Sequence, residues 1–312
     1  MKKILAVILF FGVATSMLSA QANAPWNTNN YKKLILNPNS AYTKDNIKKR
    51  KPVVLPPIRE ADAVWSKLVW RVIDVREKMN QHFYFPQSPT TQRKNLMNIL
   101  LEGIQNQGLT AYDVNDDEFT TPISYQDIMK KLDAGEQTIQ VRNQLTGELE
   151  EQTVASQGTG TSEVLQFMLK EQWYFDKNSS RLQVRIIGIC PIRVYEKQAD
   201  YVQPLDEDPE STIAYEDELQ DAKLRQQLFW VYFNEARPIL ATQEAFNRKN
   251  DSHRLSYDDI FIKRYFSSFI TQYSNVYDNR AIADYTTGID QIIESERIKE
   301  EILRFENDLW EY

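Results

Sequence analysis

The chain has 312 residues, of which 42% are hydrophobic, 26% charged and 12% aromatic. This composition indicates a folded globular protein and excludes a disordered or fibrous one. The formal net charge of -7 argues against nucleic acid as a partner, and only nine glycines are available for glycine-rich phosphate loops.

Residues 1–22 have the pattern of a secretory signal peptide. Two lysines follow Met1, residues 4–18 are apolar, and small residues stand at Ala20 and Ala22, either of which fits a cleavage site. The apolar run is shorter than the ~20 residues that a spanning helix needs. We therefore expect export followed by cleavage.

Residues 23–59 predict an extended arm rather than a packed domain, because prolines recur and the periodic apolar signal is weak. The arm carries eight basic residues and one aspartate, a net charge of +7, whereas residues 60–312 carry -16. A basic arm thus precedes an acidic body. Candidate interface residues in the arm are Trp26, Tyr31, Leu34, Ile35, Lys48, Lys49, Arg50 and Lys51.

The sequence of residues 60–312, which we call the body, predicts an α+β fold. We expect a mixed or antiparallel sheet covered by helices, and a helical region at the C-terminal end of the chain. Glycine and threonine residues at 156–161 mark a boundary at which the body could divide into two subdomains. Apolar periodicity, caps and turn signals predict helices at 64–79 and 91–107, a short strand at 109–114 and a helix after Ser124. A hairpin at 138–142 and 148–154 and a helix at 162–175 follow, and they lead into a region of paired strands at 182–186, after which Gly188 and Pro191 suggest a bulge or an edge. A surface loop is predicted at 201–215, a strand at 228–233, and helices after Ser256 and from Ile289.

An aromatic residue recurs every four positions after Ser256, which we interpret as one long helix. Because four residues turn about 400° in a helix, the row would drift around it by ~40° per step. Two interpretations stay open. The row is an internal aromatic core, or it contacts the body at one end and a partner at the other. On the second interpretation the candidate interface residues are Tyr265, Tyr273 and Tyr277.

Residues that carry chemistry form no known catalytic pattern. Metalloprotease, serine-hydrolase, phosphate-loop and Cys-x-x-Cys motifs are absent. The single cysteine, Cys190, lies in an apolar run and is expected to be a small buried hydrophobe. The loop 113–118 begins like a calcium loop but lacks its glycine and its final glutamate, so a turn-forming acidic loop is expected. We predict no catalytic, metal or cofactor site.

Several blocks of the sequence resemble the GldN/PorN family, and together they extend over about residues 52–240. The blocks are Pro56–Asp62, Trp65–Lys67, Val69–Lys78, Thr110–Asp113, Asp117–Phe119, Trp173–Lys177 and Arg185–Ile189. The resemblance implies a non-enzymatic, periplasmic structural subunit of a large ring in the type IX secretion and gliding machinery. It also implies two partners besides further copies of the chain: an outer-membrane lipoprotein of the GldK/PorK kind, which would keep the protein peripheral to the outer membrane, and the periplasmic part of an inner-membrane motor protein of the GldM/PorM kind.

A ring of identical subunits requires two different patches on each subunit, and a basic arm and an acidic body are two such patches. The hypothesis is that the arm lies on an acidic groove of a neighbouring subunit or of the lipoprotein; the alternative is a flexible tail that contacts anionic lipid headgroups. The alternative function is a periplasmic hydrolase or glycan-binding protein. Its stacking candidates would be Trp65, Trp70, Trp173 and Trp230, although core packing is the expected use of these side chains.

Overall fold

The computed structural model of the chain describes residues 49–90, 93–132, 136–142, 149–155, 160–196, 223–250 and 252–308. The predicted signal peptide, the predicted arm up to residue 48 and the predicted surface loop at 201–215 lie outside these ranges. Residues 156–159 lie outside them as well, so the subdomain boundary stays a prediction. Within the described ranges, no helix combines the length and the apolar character needed to cross a membrane.

In the described part of the chain, seven strands form the main sheet, and two further pairs stand apart from it. The strands are β1 Ala63–Asp74, β2 Ala111–Tyr112, β3 Glu136–Arg142, β4 Leu149–Ala155, β5 Val164–Asp176, β6 Arg181–Glu196, β7 Lys223–Gln227, β8 Trp230–Tyr232, β9 Glu244–Ala245, β10 Leu255–Ser256 and β11 Phe269–Tyr273. The order in the main sheet is β11-β1-β5-β6-β8-β2, with β7 paired to β6, and these pairings are antiparallel. β3 and β4 form the predicted hairpin.

Six helices occur in the described part of the chain, which confirms the predicted α+β class. They are α1 Gln81–Tyr84, α2 Leu96–Asn106, α3 Tyr125–Lys131, α4 Phe233–Thr242, α5 Tyr257–Ile262 and α6 Ile289–Asp308. The predicted cap at Ser124 is present, since its hydroxyl accepts a hydrogen bond from the amide of Asp127. The C-terminal helix α6 is also confirmed.

β1 occupies the segment in which we predict a helix over 64–79, so that prediction is wrong. The strand is buried on both sides: Val69 and Ile73 face the helices, whereas Trp70 faces the opposite way. A strand covered on both faces is apolar at nearly every position, and β-branched and aromatic residues favour it. The helix predicted at 162–175 is wrong for the same reason, because this segment forms the central strand β5.

The row of aromatic residues after Ser256 does not form one helix, and this prediction is also wrong. α5 begins with the predicted capping box of Ser256 and Asp259, but it ends at Ile262. Arg264 has a φ of 53°, a left-handed conformation that does not continue a right-handed helix. The chain then enters β11, which adds an edge strand to the sheet.

The helices cover one face of the sheet. At one end of this face, α2, α4 and α5 pack on β1, β5, β6 and β8 and enclose the main core. At the other end, α6 packs on β1 and β11 through a second core of Val69, Ile270, Ile282, Ile298 and Ile302. The opposite face carries Trp70, Cys190 and Trp230, and Phe119 of the loop between β2 and α3 packs against them.

An ion pair with a buried carboxylate on β5 lies between the main core and the second core. The carboxylate of Glu171 is fully buried and accepts two hydrogen bonds from Arg264, at 2.8 and 3.1 Å. The indole of Trp173 donates to the same carboxylate at 3.1 Å. Paired hydrogen bonds of this kind offset the cost of burying the charge, and they fix the position of the segment that follows α5.

Candidate partner-binding surface

A group of large side chains is exposed at the start of α6 and in the loop before it. We call this group the Tyr–Ile surface; it consists of Tyr277, Tyr285, Ile289, Ile292 and Ile293, with exposed fractions of 72%, 38%, 76%, 62% and 61%. Single exposed apolar residues are ordinary on soluble proteins, but five within one short segment indicate an interaction surface.

The helix α6 is apolar on two sides. Ser295, Ile298 and Ile302 are buried against the sheet. At about 100° per residue, Ile289 and Ile293 point away from that buried side, while Ile292 lies at its edge, three residues before Ser295. The sheet therefore does not need these isoleucines, and they are available to a partner.

The loop that carries the two tyrosines is built by its own hydrogen bonds. The side-chain oxygen of Asn275 accepts from the amides of Tyr277 and Arg280, at 3.0 and 3.2 Å. Asn279 has a φ of 56°, and its carbonyl accepts from the side chain of Gln272 in β11 at 2.5 Å. The exposed tyrosine thus stands on a defined turn attached to the sheet.

The guanidinium of Arg280 joins the two tyrosines. It lies 4.4 Å from the ring centroid of Tyr285 and 5.8 Å from that of Tyr277. The hydroxyl of Tyr285 donates to Glu294 of α6 at 3.1 Å. Partial burial and this neighbouring carboxylate raise the pKa of Tyr285, so its hydroxyl keeps its proton. Arginine and tyrosine are enriched among the residues that dominate binding energy in protein interfaces.

Acidic residues surround the Tyr–Ile surface. Residues 274–296 contain five carboxylates and one arginine, a net charge of -4. Asp278, Asp284 and Asp290 are exposed, while Glu294 is paired with Arg297 at 2.6 Å. An apolar centre with an acidic rim favours a partner that is both apolar and basic.

The described end of the arm lies on the body. Arg50 donates to the carboxylate of Asp259 at 3.2 Å, at the start of α5. Further along, Arg237 of α4 donates to the carbonyl of Val53, and Arg185 of β6 donates to the carbonyl of Pro56, each at 2.5 Å. We call residues 49–58 the arm root. It is anchored through one arginine side chain and through its main-chain oxygens.

The structure places the predicted interface residues in different regions. Tyr273 lies in β11, packed with the second core, and Tyr277 is part of the Tyr–Ile surface. Tyr265 is half exposed just after α5, beside Lys263. Lys49 and Lys51 are exposed on the arm root. The remaining arm candidates lie outside the described residues: Trp26, Tyr31, Leu34, Ile35 and Lys48.

Sequence analysis did not single out Tyr285 or the three isoleucines of the Tyr–Ile surface. The apolar pattern that predicts a helix from Ile289 counts the three isoleucines with the other apolar residues of that helix, and Tyr285 precedes the helix. A helical projection would have separated them, because Ile289 and Ile298 are nine residues apart and thus point in opposite directions.

The thiol of Cys190 is buried, and the imidazole of His82 is partly buried. Burial raises the pKa of the Cys190 thiol to about 12, so it is not a ready nucleophile. Burial also lowers the pKa of His82 to about 4. Among the described residues, no cluster of three or more histidine, cysteine or acidic side chains is arranged to hold a metal ion.

The tryptophans considered for glycan stacking all pack within the protein. Trp70 and Trp230 are buried. The ring of Trp65 stacks on Phe305 of α6 with the centroids 4.6 Å apart, and the guanidinium of Arg264 lies 5.6 Å from the ring of Trp173. These rings therefore stabilise the fold in the way that the sequence led us to expect.

A cleft of about 320 Å³ lies between α2 and α3. Its lining is mostly apolar and includes Leu101, Tyr125 and Met129, with Lys94 and Glu102 paired to each other at the side. The ion pair leaves no isolated charge directed into the cleft. We therefore regard the Tyr–Ile surface as the stronger candidate site.

Comparison with known families gives one match that bears on this surface. The family described as "Gliding motility associated protein GldN" matches residues 58–311, which include the whole sheet and the Tyr–Ile surface. No protein with a curated description matches the chain at a significant level.

Proposed function

This chain belongs to the GldN family of gliding-motility-associated proteins, and we propose that it is a non-enzymatic structural subunit of a large periplasmic ring in the type IX secretion and gliding machinery. We propose export with cleavage of the signal peptide and a position peripheral to the outer membrane. Its partners would be a GldK/PorK-like lipoprotein, the periplasmic part of a GldM/PorM-like motor protein, and further copies of the chain.

The observation that carries this proposal is the Tyr–Ile surface. Five exposed apolar side chains on a helix and a turn, both fixed to the sheet, are what a subunit needs in order to bind a neighbour. The basic arm supplies a second patch of different chemistry. A closed ring of identical copies requires two complementary patches of this kind on every subunit.

A hydrolase or a glycan-binding protein would need aromatic or titratable groups that are accessible to its substrate. The four tryptophans that would serve glycan stacking are engaged in packing, and the Cys190 thiol is buried. No observation favours this alternative over the structural role.

The test is affinity purification of the tagged full-length protein from its own cell envelope in mild detergent. Mass spectrometry and particle sizing are done on the same eluate. A very large particle that contains the lipoprotein in stoichiometric amount is the expected result. A small species without the lipoprotein would refute the ring, and glycan binding would then be tested on that species. A tagged unrelated periplasmic protein serves as the purification control.

A further inference from the structure

We propose that the Tyr–Ile surface of one copy binds the basic arm, residues 26–48, of a neighbouring copy. This inference rests on the proposed function, because it requires copies of the chain to stand side by side in an assembly. The inference adds to the proposed function the surface of the body to which the arm binds.

The first argument is chemical complementarity. The Tyr–Ile surface has an apolar centre and a rim with a net charge of -4 over residues 274–296. Residues 26–48 carry four lysines and one aspartate, a net charge of +3. Within them the segment 31–36 reads Tyr-Lys-Lys-Leu-Ile-Leu, so apolar anchors and positive charges stand together. Opposite charges at the rim steer association, while buried aromatic and aliphatic anchors supply affinity.

The second argument is reach. The arm root is anchored on the body at Arg50, which is paired with Asp259. From there back to Tyr31 an extended chain can span up to about 60 Å. A folded body of this size has a radius of gyration of about 18 Å. The segment around Tyr31 is therefore long enough to reach an adjacent body.

The third argument is the position of the two patches. The arm root lies on α4, α5 and β6, next to the main core. The Tyr–Ile surface lies on α6 and the preceding loop, next to the second core. Two different patches on one protomer give a head-to-tail contact, which repeats from copy to copy and closes into a ring if the rotation permits.

Cysteine cross-linking between two full-length chains, produced together in the native host, tests the contact. One chain carries Leu34→Cys and a first tag, and the other carries Ile292→Cys and a second tag. The native Cys190 is buried and does not compete. The matched control places the second cysteine at Phe85→Cys, whose native side chain is similarly exposed, at 52% against 62% for Ile292.

The expected result is a disulfide-linked dimer that carries both tags, formed with Ile292→Cys and absent with Phe85→Cys. Equal cross-linking at both positions would overturn the proposal. If large particles form without this cross-link, the surface assignment is wrong while the proposed function stands. If the parent chain forms no large particle, the proposed function itself fails.

A second experiment adds negative charge to the Tyr–Ile surface and measures whether the large particle still forms. Replacing Ile292 and Ile293 together with glutamate places two further negative charges on the Tyr–Ile surface. We expect the loss of the large particle, whereas Leu303→Glu, at another exposed position on α6, should keep it. Circular dichroism of both variants checks that they are folded. Normal assembly of the double variant would contradict the proposal.

Discussion

The ring of Phe119 lies so close to Gly188 that a Cβ atom built on this glycine would stand 2.5 Å from the ring. Phe119 has a φ of 63°, and its ring meets Trp230 edge-on with the centroids 6.1 Å apart. Because Gly188 of β6 has no side chain, the β2–α3 loop has the space to pack its Phe119 ring against the second face of the sheet.

Replacing Gly188 with alanine should destabilise the protein by about 1–3 kcal/mol, because the added methyl group displaces a packed ring. Urea denaturation of the folded variant measures the change. Adding Phe119→Leu to Gly188→Ala should recover part of the loss, since the smaller side chain leaves room for the methyl group. A single variant as stable as the parent would show that the ring moves at no cost.

The stability of the protein should fall as the pH is lowered from 6.5 to 4. Burial lowers the pKa of His82 to about 4, so in this range the unfolded chain binds a proton that the folded chain excludes. The loss reaches up to about 3 kcal/mol at the acid end. Urea titrations at several pH values measure it. His82→Gln should flatten the dependence.

Asp258→Ala should destabilise the protein by about 3–5 kcal/mol, because it leaves the guanidinium of Arg237 buried without its counter-ion. The pair is 2.9 Å apart, with side-chain exposures of 8% and 4%. Thermal and urea unfolding measure the cost. Lys130→Ala removes one half of an exposed pair and should change stability by less than about 1 kcal/mol. Equal effects of the two substitutions would contradict this account.

The thiol of Cys190 should react with a soluble thiol reagent only after the protein unfolds. It is completely buried, and its pKa is raised to about 12, so the reactive thiolate is scarce at neutral pH. Labelling with and without denaturant, followed by mass spectrometry, tests this. Ile292→Cys provides the exposed comparison and should label at once. Rapid labelling of Cys190 in the native protein would show that β6 opens locally.

The fold class, the hairpin, the caps at Ser124 and Ser256 and the last helix could be predicted from the sequence. Each depends on short-range signals: a turn between polar strands, or a side chain that caps its own helix. The length of β8 was less well predicted, since α4 begins at Phe233 within the apolar run at 228–233.

The wrong helices share one physical cause. A spacing of four residues returns to the same side of a helix approximately and to the same face of a strand strictly. Val64, Leu68 and Val72 therefore fit both periods, and only partner strands distant in the sequence decide between them. The same ambiguity affected the aromatic row, in which Phe269 and Tyr273 lie in a strand.

The Tyr–Ile surface was only partly predictable. Tyr277 could be identified as a candidate because it is aromatic and belongs to the row. The exposure of Ile289 depends on which side of α6 meets β11, and that contact is set by the buried side chains of Ser295 and Ile298. When a helix has two apolar sides, sequence periodicity cannot tell which side is buried and which is exposed.

The anchoring of the arm root determines how the body would bear a mechanical load. The body holds Val53 and Pro56 by their carbonyl oxygens, through arginines on two different elements. A pull along the arm would be shared by these bonds and transmitted through Arg237 to Asp258, deep between α4 and α5. Because these two bonds hold the main chain, the side chains of Val53 and Pro56 are free to vary in sequence without weakening them, whereas Arg50 contributes through its own side chain.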